Sequence, residues 1–83
     1  MDIEDTDAIQ NHKDLTRFVL QLREEFLQDP QNWENRDLDS FLEALAAWIG
    51  SMENAYRNNN LPFPEPPSWR TFADMLLAAR IYE

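Results

Sequence analysis

An all-α fold is predicted for this 83-residue chain by three observations. Three segments carry apolar residues at the i, i+3, i+4, i+7 spacing of one helical face. No segment shows the period-2 alternation of a strand. Four prolines within LPFPEPPS, residues 61–68, forbid a helix between the second and third segments. The simplest architecture is a three-helix bundle with a proline-rich crossover before the last helix and a flexible acidic N-terminus.

Residues 1–10 hold Asp2, Glu4, Asp5 and Asp7 and little large apolar surface to offset the cost of ordering. A flexible acidic tail is expected there, with a single helical domain over residues 11–83. The first helix is expected over residues 12–28, where Leu15, Phe18, Val19, Leu22 and Phe26 form one stripe. Asn11 is placed to cap it, Asp14 to favour the positive end of its dipole, and Pro30 to stop it.

The second helix is expected over residues 38–57, with Leu38, Phe41, Leu42, Leu45, Ile49, Met52 and Tyr56 as its stripe and Asp37 as its N-cap. Asn58, Asn59 and Asn60 tolerate the left-handed stop that ends it. Gly50 costs about 1 kcal/mol relative to alanine in mid-helix. Beside Ala46 and Ala47, it is expected to let another element approach closely. The third helix, over residues 69–82, starts from a Ser68 cap. Its stripe of Trp69, Phe72, Ala73, Leu76 and Ala79, widened by Met75 and Leu77, suits packing on two sides. Trp33 is expected to roof the corner between the first two helices, and Leu61 and Phe63 to plug the bundle edge.

Sixteen acids against seven bases give a net charge of −9, which repels phosphate backbones and anionic headgroups. Neither nucleic acid nor membrane is expected as a partner, and no apolar run approaches the roughly 18 residues of a membrane span. The stretch MDIEDTDAIQ lacks the basic and apolar regions of a signal peptide, so a cytoplasmic protein is expected. The absence of cysteine removes disulfides, thiolate metal sites and thiol nucleophiles together.

Candidate chemistry is sparse. His12 is the single histidine and is expected as an exposed first-turn residue, so a metal site would need carboxylates alone. Asp29, Glu34, Asp37 and Asp39 are crowded enough to attract a hard cation, but lack the ligand spacing and the glycine of a calcium loop. Glu24, Glu25, Glu43, Glu53 and Asp74 raise the question of acid–base chemistry. Glu53 falls at i−4 to Arg57 and Asp74 at i+4 to Arg70, which fits surface pairing better than proton transfer. Pro64-Glu65-Pro66-Pro67 satisfies PxxP without the flanking base of such ligands. No enzymatic activity, cofactor or metal is expected.

The segments WEN (residues 33–35), LDSFLEALAAW (38–48), PSW (67–69) and FADMLLAARIYE (72–83) together resemble a family of small, uncharacterised bacterial proteins classed as a domain of unknown function. The resemblance spans roughly residues 12–83 and implies no activity. The expected function is therefore a non-enzymatic module that binds another protein, a basic one by its charge, through Trp48, Phe63 and the acids Asp29, Glu34, Asp37 and Asp39. An immunity role against a toxin domain is an analogy only. The alternatives are a self-associating structural protein, with a homodimer through an aromatic edge, and a weak carboxylate site for a cation or small molecule.

Overall fold

The computed structural model describes residues 6–82 and contains three α-helices, with no strand among the described residues. Helix α1 spans His12–Gln28, α2 spans Leu38–Asn58 and α3 spans Trp69–Ala79, and a 3-10 turn at Pro30–Asn32 lies between α1 and α2. Each start is set by the residue expected to set it. Asn11 and Asp37 accept from the backbone N–H groups of Asp14 and Ser40. Ser68 and Thr71 form a reciprocal capping box. Helix α2 ends in a Schellman arrangement: Asn60 is left-handed at φ 56°, its N–H donates to the Arg57 carbonyl, and the Leu61 N–H donates to that of Tyr56.

Helix α3 is the central element, packed against both α1 and α2, while α1 and α2 bring no Cα atoms within 8 Å of each other. The third helix is thus two-sided, as its wide stripe predicts. Its small residues lie where the helices meet: Ala73 and Ala79 are wholly buried. Trp69 and Phe72, expected in the core, are instead exposed at the rim. Trp69 lies beside His12, with ring centroids 6.3 Å apart, and beside Phe72 at 6.1 Å. Close helix approach favours alanine at the contact and displaces the large rings outward. His12 itself is exposed, as expected.

The core gathers Phe18, Leu22, Trp33, Ala73 and also Ile9. Residues 1–5 of the expected tail lie outside the described residues. The rest of that stretch is not a solvated tail, since Thr6 and Ile9 are buried. The Thr6 hydroxyl donates to Asp74 at 2.6 Å, and Asp7 pairs with Arg70 at 2.8 Å. One isoleucine in an acidic segment is enough to dock it when α3 offers both an apolar gap and an arginine.

Gly50 also departs from expectation. No other element among the described residues comes within 4 Å of the position its Cβ would take, so none of them uses the close approach it permits. The stripe of α2 is likewise only half used. Of its residues Met52 is buried and Phe41, Leu45 and Tyr56 are partly buried, but Leu38, Leu42 and Ile49 are exposed, while Ala44, outside the stripe, is buried. A single neighbouring helix covers only part of an apolar arc this broad.

Candidate functional site

The corner between α1 and α2 is built by WEN. Trp33 packs edge-on against Phe26 of α1 at 5.1 Å and stacks on Phe41 of α2 at 5.7 Å, so one indole bridges two helices whose backbones stay apart. Its N–H donates to Glu25 at 2.9 Å. The same carboxylate oxygen takes Arg80, which is buried at the end of α3 and also donates to the Leu77 carbonyl at 3.1 Å. Asn35 completes the corner. Its backbone N–H reaches the Arg80 carbonyl at 3.0 Å, and its side-chain amide reaches those of Ala79 at 3.0 Å and Tyr82 at 2.9 Å. Helix α3 has no glycine stop, and Asn35 satisfies its terminal carbonyls from a distant loop.

The acids expected to form a binding cluster are used separately. Asp29 ends α1 and accepts from the Asn32 amide at 2.8 Å. Asp37 accepts from the Ser40 N–H at 2.7 Å and from its hydroxyl at 3.1 Å, and these bonds hold its carboxyl below the usual value of 3.8. Glu34 and Asp39 are exposed. Among the described residues, no three acidic or histidine side chains gather as a cation-holding group. The acid–base candidates are dispersed as well: Glu25 pairs with Arg80, Glu53 with Arg57 at 3.0 Å, and Asp74 lies 3.8 Å from Arg70.

Trp48 and Phe63 are not joined into one aromatic patch. Trp48 is half-buried against Tyr82, with ring centroids 5.5 Å apart, and the Tyr82 hydroxyl is hydrogen-bonded to Ser51 at 2.8 Å. The indole N–H of Trp48 is enclosed without a hydrogen-bond partner. Phe63 is at the edge of exposure and packs edge-on against Tyr56 at 6.0 Å. Trp48 and Tyr56 line a recess of about 510 Å³ between α2 and α3, with Leu61, Asp74 and Ile81. Burial pushes the Tyr56 hydroxyl up, the Asp74 charge adds to this, and Arg70 opposes it.

A second concavity lies between α1 and α2. This groove, of about 380 Å³, has Val19, Leu22 and Phe26 on one wall, Leu38 and Phe41 on the other, and Trp33 and Leu76 between them. Its margin is mixed in charge, with Arg23, Arg36 and Asp37, and Arg23 is bridged to Glu24 at 3.5 Å. Leu38, which lines the groove, shares a helical face with Leu42 and Ile49, and all three are exposed. The signal that could have located it is the breadth of the α2 stripe, which exceeds what one neighbour covers.

The model of a family of unknown function, DUF7660, matches residues 11–83. The chain belongs to the DUF7660 family. Of the segments that carry the resemblance in this DUF7660 chain, WEN and residues 79–82 are the two sides of the Asn35, Glu25 and Arg80 corner. No curated protein and no solved structure matches the chain. No helix among the described residues is long and apolar enough to cross a membrane.

Proposed function

We propose that this chain is a non-enzymatic, cytoplasmic module that acts by binding protein, and that its binding face is the α1–α2 groove with the adjoining face of α2. One observation carries the reading: an apolar groove lies between α1 and α2, with the exposed Val19 and Leu38 in its lining and the exposed Leu42 and Ile49 on the same face of α2 as Leu38. Apolar surface gathered around a concavity marks an interaction site more often than single exposed leucines do. The non-enzymatic part is supported by the carboxylates, which serve as caps and ion-pair partners and not as a facing pair.

Photo-crosslinking in a native lysate tests the reading. A photoreactive residue replacing Leu38 should form adducts with protein. The same residue replacing Glu24, on the opposite side of α1, should form none. Equal labelling from both positions, or no protein adduct from Leu38, would overturn it.

A further inference from the structure

Residues 6–9 are seated on the bundle by their side chains. The Thr6 hydroxyl donates to Asp74 at 2.6 Å and accepts from the Arg70 Nε at 3.3 Å, and the Asp7 carboxylate meets the same arginine at 2.8 Å. Ile9 is buried in the cluster that holds Phe18 and Ala73. The backbone bond from the Ile9 N–H to the Thr6 carbonyl closes within the segment itself. Phe18, Arg70, Ala73 and Asp74 all lie within the family-matched residues 11–83, whereas the segment seated on them precedes that range.

The arrangement has the form of a ligand held in its site. Beside Ile9 a concavity of about 500 Å³ remains, walled by Pro67 and by the exposed Trp69 and Phe72, so the segment fills only part of the depression it enters. Its polar hold is light. The Asp7–Arg70 pair is exposed on both sides and is screened by salt. A segment anchored by one aliphatic side chain opens ahead of the helices it rests on.

We propose that this seat is a docking site for a short segment of another protein with the pattern Thr-Asp-x-Ile, and that residues 6–9 occupy it in cis as an autoinhibitory strap. The seat reads three features: a hydroxyl placed between Asp74 and Arg70, a carboxylate on Arg70, and an aliphatic side chain three residues after the hydroxyl. The strap runs into α1 through Gln10 and Asn11, so its effective concentration at the seat is on the order of millimolar. An outside segment gains the seat only when the strap lifts. The concavity beside Ile9 shares no lining residue with the α1–α2 groove, so this proposal and the groove reading stand or fall separately.

A fluorescent peptide of residues 4–11, EDTDAIQN, titrated with the full chain and with its Ile9→Ser variant, tests the proposal by anisotropy. Ile9→Ser removes the group that buries the strap. The variant should bind the peptide at least about tenfold more tightly than the parent, as a seat filled about nine-tenths of the time requires. A peptide carrying the same Ile9→Ser change should not bind. Circular dichroism checks that the variant keeps its helix content. Asp7→Asn loosens only the exposed ion pair and leaves the core intact. It should bind the peptide about two- to fivefold more tightly than the parent, and it decides the matter alone where Ile9→Ser loses helix content. No saturable binding by a folded variant, equal binding by parent and variants, or binding that ignores the isoleucine of the peptide overturns the proposal.

Discussion

Replacing Asn35 with alanine removes two side-chain hydrogen bonds, at 3.0 and 2.9 Å, that tie the loop after the 3-10 turn to the Ala79 carbonyl at the end of α3 and to that of Tyr82 just beyond it. Each bond contributes about 1 kcal/mol net. The Tyr82 carbonyl, near a half-buried end, can turn to water, but Ala79 is wholly buried and its carbonyl loses a partner at further cost. The expected loss is about 2–3 kcal/mol, against a stability of roughly 4–12 kcal/mol for a chain this long. That corresponds to a fall in Tm of roughly 10–20 °C.

Urea and thermal unfolding followed by circular dichroism measure this loss, and hydrogen exchange locates it in the amides of residues 79–82. Asn35→Asp should be worse than Asn35→Ala at neutral pH, because a carboxylate facing two carbonyl oxygens cannot donate. A loss under about 0.5 kcal/mol, or an Asn35→Asp variant as stable as the parent, would show that these two bonds do not hold the corner.

Four further outcomes follow from the same structure. Arg80→Leu should cost about 2–4 kcal/mol in chemical denaturation, since it strands the partly buried Glu25 with only the Trp33 N–H. A double-mutant cycle with Glu25→Gln should recover part of that loss as coupling. Gly50→Ala should stabilise the chain by about 0.5–1 kcal/mol in dilute solution, because the added methyl meets nothing among the described residues. Asn60→Ala should cost about 1 kcal/mol by unfavourable left-handed backbone, while Asn60→Gly should cost nothing measurable. Asp37→Ala should lower stability at neutral pH. The Asp37 carboxyl is held below its usual value in the folded chain, so its contribution is complete above the unfolded-state value and is lost as pH falls through the folded one. The gap between variant and parent should therefore close in acid, as a pH series of melting curves would show.

Local signals made the helices legible. Asn11, Asp37, Ser68, Pro30 and the asparagine run act within a few residues of themselves, and each marks the helix boundary where it stands. What stayed hidden depends on distant partners. Asn35 and Arg80 look like ordinary loop and helix-end residues until the corner brings them together. Trp69 falls on a helical stripe, yet the alanines of α3 win the contact and leave its ring at the rim.

Ile9 was outweighed by the acids around it, because composition averages over a segment while burial acts on one side chain. For the candidate site, Trp48 and Phe63 were visible as aromatics, but nothing in the sequence showed their separate partners, Tyr82 and Tyr56. The groove was legible only indirectly, in a stripe on α2 too broad for one neighbour.

The central claim is that binding belongs to the open face of α2 and the α1–α2 groove, and not to the Trp48 recess or the acidic loop. The most direct test is the apparent size of the chain by gel filtration from a native lysate, compared for the parent, Leu42→Glu and Phe63→Ala. The parent and Phe63→Ala should elute together as a species larger than the monomer, and Leu42→Glu should elute as the monomer. Loss of the larger species in Phe63→Ala but not in Leu42→Glu would contradict the account.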